Sequence, residues 1–130
     1  MSDDEMIANF EACTLSHDMF HHAAHVHMAF LYLRRYPGLE ALQRFSASLK
    51  NFAVAKGSPA RYHETITWAL LLLIRERMAR SNCEQSWSEF SVANPDLLDW
   101  TNSPLKKYYW DETLSSDLAR STFLLPDKFA

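Results

Sequence analysis

The sequence predicts an all-α protein, a compact helical bundle of three long helices with short C-terminal helices wrapping it. Apolar residues recur three and four positions apart through much of the chain. Only two glycines occur, Gly38 and Gly57, and each lies next to a proline or one residue away from one. Alternating runs of Val, Ile and Thr, which are typical of strands, are few. These observations argue against an antiparallel β fold.

The length of 130 residues predicts a single domain over 1–130. We expect a helical core over 14–81 and an aromatic-rich C-terminal wrap over 82–130. The chain is 48% apolar and 13% aromatic, which argues against disorder.

The first long helix follows a short amphipathic turn or helix over 6–13. Thr14 and Ser16 are the natural N-cap candidates for it. We expect the helix to end at Tyr36, because Pro37 and Gly38 cannot continue it.

Two further long helices are predicted. An amphipathic helix runs from Leu39 to Lys56, and Gly57 is typical of the residue that follows a helix. The third helix starts near Pro59, a favoured first-turn residue, and continues to about Arg80. Its middle, TWALLLLI, is apolar on nearly every side, which predicts burial between other elements.

The last fifty residues contain shorter helical pieces, near 84–93, 104–109 and 116–121, separated by prolines and asparagines. Trp and Tyr are frequent here. We expect this segment to cover one end or one face of the bundle, where it could also act as a lid.

Charge and motifs exclude several classes of function. The net charge is −3 with mixed signs, so no basic footprint for nucleic acid exists. The longest apolar run, 68–74, is too short to span a membrane, and the acidic N-terminus lacks a signal pattern. We therefore expect a soluble, cytoplasmic protein. Cys13 and Cys83 lack C-x-x-C spacing, and no P-loop, G-x-S-x-G or G-x-G-x-x-G motif occurs.

The segment 17–37 holds five of the six histidines. At 3.6 residues per turn these histidines do not point in one direction. His22 lies at the centre of the predicted apolar face, and His25 and Asp18 share that face. His21 is less central. His17 and His27 are predicted to face solvent.

The sixth histidine, His63, lies at the centre of the inward face of the third helix. A single buried histidine is more often a hydrogen-bonded core residue than a ligand. Three on two helices favour a divalent metal, iron or zinc, held by His22, His25 and His63. Asp18 or Glu64 would complete the ligand sphere, orient an imidazole, or act as the general base of catalysis.

Two strings resemble an uncharacterised bacterial all-α family. They are Phe20-His21-His22-Ala23-Ala24-His25, an F-x-H-x-x-H motif, and Tyr62-His63-Glu64-Thr65-Ile66-Thr67, a Y-H-E-T motif. Tyr32-Leu33 and the end from Ala119-Arg120 to Leu125-Pro126-Asp127 extend the resemblance over most of the chain. It implies an all-α fold and brings no settled activity. DinB-like four-helix proteins also carry three histidines, but this chain lacks their late H-x-x-x-H motif.

Two hypotheses about function follow. In the first, the chain is a metalloprotein. Its metal is either structural, or it is catalytic and activates water or dioxygen for a small substrate. In the second, it is a metal-free interaction module, whose buried histidines form a polar network and whose aromatic tail is a docking surface. A homodimer is compatible with both.

Overall fold

The computed structural model describes residues 1–16, 20–81 and 84–128. The predicted all-α class is confirmed, and no strand occurs within these three ranges. The chain divides into two compact units, Met1–Tyr62 and His63–Ala130. The third long helix therefore groups with the C-terminal segment, whereas the sequence predicts a boundary near residue 81. The single domain over 1–130 stays a prediction.

The first unit is formed by three helices and a short 3-10 turn. The helices are α1 (Asp3–Glu11), α2 (His22–Arg35) and α3 (Gly38–Ala55), and the 3-10 turn covers Pro59–Arg61. All three helices contact one another.

The core of the first unit is centred on the fully buried ring of Phe10. Its centroid lies 5.0 Å from that of Phe20, 5.7 Å from Phe52, 5.9 Å from Phe45 and 6.1 Å from Tyr32. Aromatic contacts at these separations stabilise a core beyond simple burial of area. The α1 helix is thus held by its apolar face, as the pattern over 6–13 predicts.

The start of α2 differs from the prediction. The helix begins at His22, with His21 at the N-cap and no side-chain hydrogen bond there. Thr14 is not the cap, because its hydroxyl donates to the backbone oxygen of Asn9 at 3.1 Å. The predicted end is confirmed, since Tyr36 is the C-cap and precedes Pro37.

The second unit contains α4 (Glu64–Arg80), α5 (Trp87–Ala93), α6 (Asp111–Leu114) and α7 (Asp117–Ser121). Two 3-10 turns, Pro95–Leu98 and Pro104–Lys107, lie between α5 and α6. Within α4, Leu70, Leu71 and Ile74 are buried, but Leu72 is 41% exposed. The helix is therefore covered mainly on one side, whereas its apolar pattern predicts burial on nearly every side.

The C-terminal segment is fastened to α4 by polar contacts. Thr65, which is fully buried, donates to the backbone oxygen of Thr122 at 2.8 Å and accepts from the Leu124 N–H at 3.1 Å. Farther along α4, Arg77 forms a two-pronged ion pair with Asp96, at 2.8 and 2.7 Å.

Among the described helices, none combines the length and the apolar character that a bilayer crossing requires.

Candidate functional site

His63 is the N-cap residue of α4. The sequence predicts instead that it lies inside the third helix. Its backbone is extended (φ −133°), and its ring Nδ1 accepts a hydrogen bond from the Ile66 N–H at 3.1 Å. The predicted helix from Pro59 is interrupted because Pro59–Arg61 forms a separate 3-10 turn. His63 thereby satisfies one of the amide groups that every helix start leaves without a partner.

The second ring nitrogen of His63 binds a remote carbonyl. Nε2 lies 2.7 Å from the backbone oxygen of Leu114, at the end of α6. A carbonyl oxygen only accepts, so Nε2 carries the proton and Nδ1 offers its lone pair to Ile66. In this arrangement the lone pair that a metal would require is already engaged.

The protonation state of His63 agrees with this geometry. The residue is buried, and burial lowers the pKa of its imidazole below the usual 6.5. The bond to Leu114 raises the pKa in part, and the charge of Arg120 lowers it. His63 is therefore a neutral imidazole that links α4 to α6.

The histidines of α2 lie in and just before its first turn. His21 is the N-cap and is exposed, His22 is the first helical residue, and the His25 N–H donates to the His21 oxygen at 3.0 Å. His22 and His25 are both half-buried, so the predicted inward placement is met only in part.

His25 packs on an aromatic side chain. Its ring centroid lies 4.1 Å from that of Phe20, which is part of the core around Phe10. Burial, and then the charge of nearby His22, lower the pKa of His25 to about 4, although a hydrogen bond with the Phe20 backbone partly opposes them. At neutral pH His25 is uncharged, which is the state in which imidazole packs against apolar rings and also the state in which it binds metals.

The prediction that His27 faces solvent was wrong. Its side chain is 21% exposed, and Nε2 lies 4.0 Å from a carboxylate oxygen of Asp3 in α1. Burial lowers the pKa of His27, and Asp3 raises it in part. Helix α1 covers this side of α2, a packing that the periodicity of α2 alone does not reveal.

The remaining predicted site residues are placed as follows. Glu64 is the first residue of α4 and is half-buried. His17 and Asp18 lie outside the described residues. Within the described ranges, no three His, Cys, Asp or Glu side chains form a group that could hold a metal ion. The ligand set His22, His25 and His63 stays a prediction.

Thr65 lies in the Y-H-E-T string but is not among the predicted site residues. Its burial in the first turn of an amphipathic helix would have been the signal, because a buried hydroxyl requires partners. In the second unit, His63 and Thr65 bind backbone groups of Leu114, Thr122 and Leu124, so the two residues that flank Glu64 anchor the C-terminal segment.

The aromatic C-terminal residues divide into buried and exposed sets. Tyr109 is buried, and its hydroxyl donates to the Leu124 oxygen at 2.7 Å. Trp100, Tyr108 and Trp110 are 52%, 41% and 50% exposed. Large aromatic side chains at such exposure are candidates for partner contacts.

Comparison of the chain with family models, with curated proteins and with solved structures gave no match.

Proposed function

We propose that this chain is a metal-free helical interaction module in which the buried His63 holds the start of α4 and the end of α6 in place. The observation that carries this proposal is the engagement of both His63 ring nitrogens, by Ile66 and Leu114. A metal at His63 would have to displace one of these bonds and leave a buried polar group unpaired. A cytoplasmic location belongs to the proposal.

The docking surface in this proposal is the aromatic segment, defined as residues 100–110 with its exposed side chains Trp100, Tyr108 and Trp110. The end of the chain restrains this segment, because the backbone amides of Asp127 and Lys128 donate to the backbone oxygen of Tyr108 at 3.1 and 3.0 Å. Restraint before binding lowers the entropy that an interface loses on association.

The partner of the aromatic segment is proposed to be a protein. Trp and Tyr supply large contact areas with few rotatable bonds, and they are enriched at the energetic centres of protein interfaces. A second copy of this chain is one such protein.

Site-specific photocrosslinking in cells tests this surface. A photoreactive amino acid would replace Trp110, and a matched control would carry it at Val54, which is 59% exposed in the first unit. We expect one discrete adduct from position 110 that untagged wild-type chain suppresses by competition. An adduct of twice the chain mass identifies a second copy. No adduct from 110, or the same adducts from both positions, would contradict the docking surface.

A second candidate function is metal binding at the start of α2. It is favoured by the pair His22 and His25, one turn apart, and by the neutral state of His25. Imidazole pairs suit iron or zinc. In this proposal Asp18 supplies a carboxylate, and a catalytic metal would activate water or dioxygen for a small substrate, with Asp18 as general base.

Elemental analysis of protein purified without an affinity tag separates the two candidates. The interaction module predicts substoichiometric metal in the wild type and no change in His22→Ala. A metal at one equivalent, lost in His22→Ala but kept in a His21→Ala control, would overturn the metal-free proposal and establish the second candidate.

A further inference from the structure

A cavity of about 420 Å³ lies in the second unit, along the 3-10 turn Pro104–Lys107. Its volume falls within the range of small-molecule sites. All of its lining residues come from the C-terminal segment: Asp96, Asn102, Ser103, Pro104, Lys106, Lys107 and Lys128. Three of the seven are lysines, although the whole chain has a net charge of −3.

We propose that this cavity, here called the lysine cavity, binds a small molecule that carries a phosphate group, through the ammonium groups of Lys106, Lys107 and Lys128. Five of the lining residues belong to the aromatic segment, but the proposal uses lysine side chains and not the exposed aromatic ones. It requires no metal, and it concerns a different ligand from the proposed function.

The charge of the three lysines that line the cavity is not cancelled by the one carboxylate in the lining. Both oxygens of Asp96 are bound by Arg77, at 2.8 and 2.7 Å, and this pairing lowers the pKa of Asp96. The guanidinium and the carboxylate neutralise each other. The two carboxylates nearest along the chain are not part of the lining: Asp99 accepts from the Asn102 N–H at 3.1 Å, and Asp127 accepts from Trp110 and Thr113.

Two of the three ammonium groups are held in place. Lys106 Nζ donates to the Thr101 oxygen at 2.9 Å, and Lys128 Nζ donates to the Lys106 oxygen at 3.0 Å. Lys128 Nζ also lies 4.6 Å from the ring centroid of Trp110. Each ammonium group has three donors, so two remain on each for a ligand. Anchored cations lose less side-chain entropy on binding than free surface lysines do.

Lys107 supplies the third cation. Its ammonium group makes no hydrogen bond within the described ranges, and its charge contributes to the low pKa of Asp96, another lining residue. The ammonium group of Lys107 can therefore turn toward a ligand without breaking a hydrogen bond of the fold.

The chemistry of the lining favours phosphate over a planar carboxylate. The guanidinium of Arg77, the group suited to two-pronged carboxylate binding, is already occupied by Asp96. Lysines bind as point charges, and three of them suit a compact anion with several charged oxygens. The Ser103 hydroxyl accepts from the Leu105 N–H at 3.2 Å, so its own proton is available as a further donor.

Calorimetric titration with pyrophosphate tests the lysine cavity on the full chain. We expect saturable binding at one equivalent, weakened roughly fivefold or more in Lys107→Gln, since hydrogen bonds to charged groups have about that effect or larger. Lys50→Gln, which removes an exposed lysine from α3, is the matched control and should leave the affinity unchanged. Citrate at the same ionic strength is the comparison for a carboxylate anion.

Lys107→Gln changes an exposed side chain and should not alter the circular dichroism spectrum, so a loss of affinity reports on the ligand. Absence of saturable pyrophosphate binding would overturn the site. If Lys107→Gln and Lys50→Gln weaken pyrophosphate binding equally, the binding is general charge attraction, and the proposed site is overturned as well. Citrate binding as tight as pyrophosphate would overturn the assignment to phosphate.

Discussion

Replacement of His63 by alanine should destabilise the second unit strongly. The substitution removes the acceptor for the Ile66 N–H and the donor for the Leu114 oxygen. Loss of an N-cap side chain costs about 1 kcal/mol. A polar group left without its partner costs about 1–3 kcal/mol, and the lower half of that range applies because Leu114 is only half-buried. The free energy of unfolding should therefore fall by about 2–3 kcal/mol.

Urea denaturation followed by tryptophan fluorescence measures this loss. All four tryptophans lie in the second unit, so the signal reports on the part of the chain that contains His63. A loss of about 2–3 kcal/mol shifts the midpoint by roughly 1–2 M urea. His63→Asn should recover part of the stability, because asparagine is a good N-cap but is too short to reach Leu114.

His21→Ala is the control, since His21 is exposed and makes no capping bond. A loss below about 0.5 kcal/mol in His63→Ala would refute the structural role of the two hydrogen bonds. The role would also be refuted if a chelator lowers the stability of the wild type to that of His63→Ala. That result would show that His63 stabilises the chain through a metal.

Two further predictions concern groups whose partners the structure names. Acid should destabilise the first unit, because His25 has a pKa of about 4 when folded and 6.5 when unfolded, so the unfolded chain binds a proton first. The stability that His25 contributes is fully present above pH 6.5 and is lost as the pH falls toward 4. In urea titrations followed by circular dichroism, we expect a loss of roughly 1–2 kcal/mol at pH 5. Thr65→Val should lower the free energy of unfolding by about 1–3 kcal/mol in fluorescence-detected denaturation, since it keeps the shape but removes both bonds to Thr122 and Leu124.

Each of these has its own control. His25→Gln should flatten the pH dependence between 7.5 and 5, and an unchanged slope would assign the acid sensitivity to other groups. Thr65→Ser keeps the hydroxyl and should cost less than Thr65→Val. If valine is tolerated as well as serine, the buried hydroxyl does not hold the C-terminal segment.

Local pattern predicted the helices well where their ends are set by neighbouring residues. Helix α3 runs over Gly38–Ala55 against a prediction of Leu39 to Lys56, and α2 ends at Tyr36 before Pro37. Proline geometry and a three-to-four-residue apolar spacing act within a few residues, so they can be recognised in the chain itself.

The start of α2 and the role of His63 could not be predicted in this way. Thr14 has the chemistry of an N-cap, yet its hydroxyl binds Asn9 and the helix begins at His22. His63 lies on the predicted apolar face, and it is indeed buried, but as a cap instead of a residue of the helix interior. An N-cap and a helix interior are both compatible with the same run of residue types.

By itself the sequence determined the all-α class, the C-terminal ends of α2 and α4, the bounds of α3 and the burial of His63, because these follow from spacing and composition. Only the tertiary structure decided what the polar groups bind. Leu114 lies 51 positions from His63, and Thr122 lies 57 positions from Thr65. A buried donor or acceptor must find a partner, but which remote backbone group serves depends on how the C-terminal segment packs on α4, and no local pattern specifies that.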